Sequence, residues 1–256
     1  MWKILSESVE GTSHRRGSLP CQDCSRAEHL QLQGDSVLVV ACADGAGSAE
    51  LSQVGARIAC DRFFELAYEA LSNGTAARSI DRDLTLRWYQ TVREAIGAEA
   101  ERRGVPVRSL ACTLLTAVVG RDFAAFAQVG DGTIVRRVTD AYESVFWPQS
   151  GDYANVTNFV TQDSIDAIFE FSSETIKIDE VALLTDGLQR LVLDFATRSV
   201  HQAFFKPFFA ALSTAEHADE LAVPLRNFLD SPNVNQRTDD DKTLVLASRV
   251  RESTTG

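Results

Sequence analysis

The chain has 256 residues, of which 45% are hydrophobic and 24% charged, the make-up of a soluble globular protein long enough to bury a real core as one domain, 1–256. Its formal net charge of −11 argues against binding nucleic acid or an anionic membrane surface, since both call for clustered Lys and Arg. No apolar run approaches the ~18 residues that a membrane span requires.

The opening MWKILSESVEG lacks the long apolar core of a secretory signal, so a cytoplasmic location is expected. The first apolar run, SVLVVACAD (36–44), is bounded by turn residues and predicts a buried strand. Apolar residues at helical spacing over 48–71 and again over 81–104, parted by Asn73-Gly74, predict two long consecutive helices. LACTLLTAVVG (110–120) and DFAAFAQVGDG (122–132) predict two more strands. The polar, aromatic, turn-rich segment 145–164 predicts a loop or flap, or a packed excursion anchored by Trp147 and Tyr153. A strand at EVALLTDG (180–187) precedes two helical stretches, 201–213 and 215–230, which Pro207 and Pro224 should limit as uninterrupted helices. A last strand is predicted at DKTLVLASRV (241–250). Strands separated by blocks of paired helices favour a layered arrangement with antiparallel sheets over a doubly wound parallel sheet.

Acids recur where apolar runs meet turns: Asp23, Asp44, Asp131, Asp186, and Asp240 with Asp241. One Asp-Gly dipeptide is an ordinary tight turn. Three after apolar strands invite another reading, because a charged carboxylate is costly to bury unless it is paired, hydrogen-bonded or bound to a metal. Strand ends on one edge of a sheet can gather distant carboxylates, and Mg²⁺ or Mn²⁺ prefers such oxygen ligands. The five cysteines are odd in number, and three lie in apolar segments where cysteine acts as a small hydrophobe, so disulfides are not indicated. CQDC, at Cys21 and Cys24, lacks the context of a redox motif, and His and paired Cys are too few for a typical zinc site.

Taken in order, GTSHRRGSLPCQD, ACADGAGSAELSQVGA, ACTLLTAVV, AQVGDGTIVRR, LLTDGLQRL and DDKTLVLA resemble the successive motifs of the metal-dependent type 2C (PPM) Ser/Thr protein phosphatases, particularly a compact bacterial branch. The resemblance spans nearly the whole chain. It implies an α+β fold layered α/β/β/α, with two antiparallel sheets packed as a sandwich, helix pairs outside, and a metal cleft at one end. By motif position Asp44 would bridge two tightly bound Mn²⁺ or Mg²⁺ ions, with the Gly45 carbonyl, Asp23, Asp186 and Asp240 completing the pair. Asp240 is preferred to Asp241 because aligning Thr243 with the family's usual Ser or Thr leaves Asp240 at the ligand position. Asp131 matches the acid that helps hold a third, weaker metal.

The implied reaction is hydrolysis of phospho-Ser/Thr monoesters by in-line attack of a metal-bridging hydroxide, with no phospho-enzyme. Phosphorylated proteins are the expected substrates, and a Ser/Thr kinase an expected partner. Two departures qualify the match. Ala46 stands where many members carry a His that can serve as general acid, which leaves His14 or a water for that role. Ser18 stands where the family usually places its phosphate-binding Arg, which leaves Arg15 or Arg16. A catalytically silent relative that binds phosphoproteins or a kinase, and a small-molecule phosphoesterase, are the alternative functions.

Overall fold

The computed structural model describes residues 1–32, 35–149 and 157–250. Strand β1 (Trp2–Val9) and the short helix α1 (Thr12–Gly17) lead to β2 (Cys24–Leu32) and β3 (Asp35–Ala43). The long helices α2 (Ser52–Ser72) and α3 (Arg82–Arg103) come next, then four strands, β4 (Leu114–Val119), β5 (Ala124–Val129), β6 (Thr133–Val138) and β7 (Ala141–Ser144). A single turn, α4 (Ile165–Ile168), precedes β8 (Glu170–Glu174) and β9 (Glu180–Leu184). The chain continues through α5 (Gln189–Val192), the two-residue strands β10 (Leu193–Asp194) and β11 (Ser199–Val200), and the helices α6 (Gln202–Thr214), α7 (Ala222–Leu229) and α8 (Pro232–Asn235), then ends its described structure with β12 (Lys242–Arg249).

Ten of the strands form two five-stranded sheets, ordered β1-β12-β9-β6-β7 and β2-β3-β4-β5-β8, β10 and β11 pair as a separate ribbon, and every pairing is antiparallel. Alternation along the central strands shows how the layers are held, because successive side chains point to opposite faces. In β3, Val37, Val39 and Ala41 join Phe63 and Ala59 of α2 and Tyr89 and Val92 of α3 in one apolar core. Leu38, Val40 and Cys42 point the other way, into a core shared with Leu183 and Val245 of the opposing sheet. On the far side, Leu184, Leu244 and Leu246 pack against Phe205 and Phe209 of α6 and Leu225 of α7. Both faces of each sheet are therefore covered, which is why β3 is an unbroken apolar run and not an alternating one. The four-layer expectation holds.

The long helices carry their own end signals. Asp81 caps α3, accepting a hydrogen bond from the Leu84 N–H at 2.8 Å, and Gly104 closes it in the left-handed conformation at φ 69°. The prolines behave differently from each other. Pro224 lies in the first turn of α7, where the missing N–H has no helical acceptor to lose. Pro207 does not limit α6, which runs through it. Only the Ala203 carbonyl forfeits its helical partner, and both residues face solvent, where water can replace it.

Strands β1 and β2 lie beyond the predicted set, as do β6 to β8 as separate elements. Trp147, in the predicted flap, packs edge-on against Phe195 with the Arg198 guanidinium over its ring, so that anchor exists. Tyr153 lies outside the described residues. Among the described residues no helix is long and apolar enough to cross a membrane.

Candidate metal centre

Antiparallel pairing places the C-terminal ends of some strands beside the N-terminal starts of their neighbours. Asp44 follows β3, Asp131 follows β5 and Asp186 follows β9; Asp23 precedes β2, and Asp240 and Asp241 precede β12. Cys24 pairs with Ala43, so Asp23 and Asp44 flank the same end of one sheet. Leu244 pairs with Leu184, which brings the start of β12 to Asp186 in the other. All six acids thus collect at one end of the sandwich.

Carboxylate oxygens of Asp44, Asp131 and Asp186 lie within 4.8 Å of one another. The main chain of Asp44 is fixed from both sides: its N–H donates to Thr113 Oγ1 at 2.9 Å, and its carbonyl accepts from the Thr113 N–H at 2.8 Å. Only the side chain remains for other work. Asp131 accepts from the Thr157 hydroxyl at 2.6 Å, and its carbonyl accepts from the Gln189 side-chain amide. Close backbone approach shapes the cleft as well. A Cβ at Gly45 would overlap Ser52 and the Gln22 carbonyl, and one at Gly187 would overlap the Asp241 carbonyl.

Asp23 is clamped by two hydroxyls on the facing sheet, Thr185 at 2.8 Å and Thr243 at 2.7 Å, both donating to Oδ2. Its Oδ1 is buried without a hydrogen-bond partner among the described residues, and so is Oδ1 of Asp186. Burial, then the charges of Asp23 and Asp186, drives the Asp44 carboxyl well above the usual carboxylate range; burial lifts Asp23 to about 8 against the opposing pull of its two hydroxyl donors, with Asp241 and Asp186 adding to the rise; burial followed by the charges of Asp131 and Asp240 lifts Asp186. Asp131 is lifted too, chiefly by burial. Orphaned buried oxygens on converging, mutually repelling carboxylates are what a divalent cation with hard oxygen ligands would satisfy. The donor set fits Mn²⁺ or Mg²⁺.

Asp240 and Asp241 have separate environments. Asp241 is 2% exposed and fully engaged: Oδ1 accepts from the Gly11 N–H and Oδ2 from the Gln22 N–H, both at 2.6 Å, and His14 Nδ1 lies 2.8 Å from Oδ2. It fastens the segment leading to Asp23 onto β12. The Asp240 side chain is 49% exposed and stands 4.0 Å from His14 Nε2. His14, on α1, is buried between them.

Arg15 is turned away into an ion pair with Asp230 at 2.7 Å, and Arg16, 72% exposed, reaches Asp239 at 3.3 Å. All five cysteines are free thiols. Two arginines that sequence reasoning passed over, Arg190 and Arg237, line a cleft together with Asp186 and Asp240. Both flank acid motifs, in TDGLQR and QRTDDD, which was the available signal.

The sequence pattern of protein phosphatase 2C matches residues 10–229. The chain belongs to the protein phosphatase 2C family. It is accordingly a serine/threonine protein phosphatase by class. The similarity to "Serine/threonine-protein phosphatase 3" of Escherichia coli (strain K12) is 36% identity over 249 residues, covering 96% of this chain and 98% of that one. Among solved structures, a bacterial serine phosphatase superposes with a TM-score of 0.67 at 13% identity, covering 98% of this chain and 100% of the other. Stp1 of Staphylococcus aureus gives 0.62 at 14%, covering 98% and 96%. RsbX, solved in complex with magnesium, gives 0.55 at 14%, covering 96% and 94%. At such identities these structures speak for the protein phosphatase 2C fold alone.

Proposed function

We propose that the protein removes phosphate from phosphoserine and phosphothreonine in other proteins, using Mn²⁺ or Mg²⁺ held at the acid end of the sandwich. The observation that carries this reading is the convergence of Asp44, Asp131 and Asp186 within 4.8 Å, beside carboxylate oxygens that are buried without partners. Asp44, the Gly45 carbonyl, Asp23, Asp186 and Asp240 would hold two ions, and Asp131 would help hold a third, weaker one. When bound, the ions supply neutralisation of the phosphate dianion and a water acidic enough to act as nucleophile at neutral pH.

The chain's own residues do the rest. Thr185 and Thr243 both hold Oδ2 of Asp23, which leaves Oδ1 for an ion, and Thr113 fixes the backbone of Asp44. His14 is held beside Asp241 at Nδ1 and offers Nε2 on the Asp240 side, which suits a proton donor to the leaving oxygen in place of the residue that Ala46 lacks. Phosphorylated proteins are the substrates in this reading, and a Ser/Thr kinase acting on the same proteins is the natural counterpart.

Mn²⁺-dependent release of phosphate from an aryl phosphate and from a phosphopeptide panel tests the reading. Activity on phosphopeptides that disappears in Asp44→Asn supports it. Binding of phosphopeptides without turnover would favour a silent relative, and activity confined to small esters would favour a phosphoesterase.

A further inference from the structure

A phosphate dianion entering a chain of net charge −11 gains from cationic side chains beside the acid cluster, in addition to any bound ions. The arginines nearest the first motif are already engaged, Arg15 by Asp230 and Arg16 by Asp239. A cleft of about 440 Å³ opens beside Asp186 and Asp240, and Arg190 and Arg237 form part of its wall. Arg190 sits on α5, one helical turn beyond Asp186; Arg237 lies on the connection from α8 to β12, three residues before Asp240. Neither guanidinium forms an ion pair or a side-chain hydrogen bond among the described residues, whereas Arg15 and Arg16 both do. Unpaired arginines are common on surfaces, where water satisfies them. These two differ because they share one concave wall with the acids.

We infer that Arg190 and Arg237 form the phosphate-binding subsite, holding the phosphoryl oxygens of the substrate and the inorganic phosphate product, in the position that Ser18 leaves unserved. The inference rests on the phosphatase reading for its substrate. Guanidinium suits the task because its planar fork donates two parallel hydrogen bonds to phosphate oxygens and stays charged. The Gln236 side chain, on the same wall, adds a neutral donor. Two cations on separate backbone segments can approach the phosphate from two sides, which a lone arginine cannot.

The test uses the full chain with Mn²⁺. Arg190→Ala and Arg237→Ala should each raise KM for p-nitrophenyl phosphate about tenfold, the scale of a lost charge-assisted hydrogen bond, with a smaller change in kcat. Calorimetric affinity for inorganic phosphate should fall in parallel, the Mn²⁺ stoichiometry should stay as in wild type, and Arg→Lys at either position should restore part of the loss. Unchanged KM and unchanged phosphate affinity in the Arg190→Ala/Arg237→Ala double variant would overturn the inference. A defect confined to phosphopeptides with acidic flanks would overturn it too, making the cleft a reader of neighbouring residues. Phosphate calorimetry needs no turnover, so it judges the subsite even if the wild type hydrolyses nothing, an outcome that would count against the phosphatase reading instead.

Discussion

Asp240 and Asp241 are adjacent carboxylates in opposite surroundings, one half-exposed and one buried. Two backbone N–H groups, from Gly11 and Gln22, end on Asp241, and no water can replace it at 2% exposure. Asp241→Ala should therefore lower stability by about 1–3 kcal/mol for each donor left unsatisfied, read as a lower melting temperature. Asp240→Asn should leave melting of the metal-free protein nearly unchanged yet weaken the Mn²⁺ response of the rate. Equal effects of the two substitutions on melting would contradict the division. The cluster facing them has its own pH signature. Asp44, Asp23 and Asp186 are lifted above their unfolded values, chiefly by burial, with Asp186 reaching about 6. Groups lifted in this way bind more protons in the folded state, so their contribution is fully present below the ordinary carboxylate range and is lost as pH rises through the folded values. Metal-free protein should melt at a lower temperature at pH 8 than at pH 5. Asp44→Asn or Asp186→Asn should abolish metal-stimulated activity while flattening that slope and raising the melting temperature at pH 8. A steeper slope in the variants would show that the repulsion lies elsewhere.

Helix α2 meets the turn at Val107–Leu110 so closely that a Cβ on Gly55 would overlap the Leu110 carbonyl. Gly55→Ala should push the helix off this turn, costing about 1–3 kcal/mol of stability as overpacking does. The start of α2 also follows directly on the loop after Asp44, so the rate should fall more than the loss of folded protein explains. Melting and kcat on one preparation would show it, and normal values for both would mean the helix slides freely. Contacts of this kind explain what the sequence reveals and what it hides. The run at β3 is legible because helices cover one face and the second sheet the other. Strand β2, CSRAEHLQL, buries only Leu30 and reads as a polar connection; its place comes from nine backbone pairs with β3, which leave no mark on side-chain pattern. In β1 the buried residues Trp2, Leu5 and Val9 do not alternate, which masks an edge strand. Asp44, Asp131, Asp186, Asp240 and Asp241 were visible because each ends or begins an apolar run, whereas Asp23 stood out only through the motif CQD. Arg190 and Arg237 were not, because only the fold turns α5 and the approach to β12 toward one cleft.

At the scale of the molecule, the acids come from residues 23 to 240 and meet only because two sheets are built and stacked. Strand β1 pairs with β12 along its whole length, from Trp2 with Arg249 to Val9 with Lys242. The Gly11–Asp241 hydrogen bond spans 230 positions of sequence. So many distant pairings imply slow closure of the fold compared with a helical bundle of equal size. A stopped-flow refolding trace should show secondary structure forming before the chain regains Mn²⁺ binding. Simultaneous recovery of both would mean that the centre assembles without its last strand.

The partnership of β1 with β12 has a consequence for synthesis. Strand β1 leaves the ribosome well before its neighbour and must wait for it, since β12 stands between it and β9. Until residue 249 has emerged, Asp23 lacks the hydroxyl of Thr243 and the segment before it lacks the Asp241 fastening. A chain that stops short of β12 therefore carries Asp23, Asp44, Asp131 and Asp186 without the strand that fastens Asp23 and the segment before it.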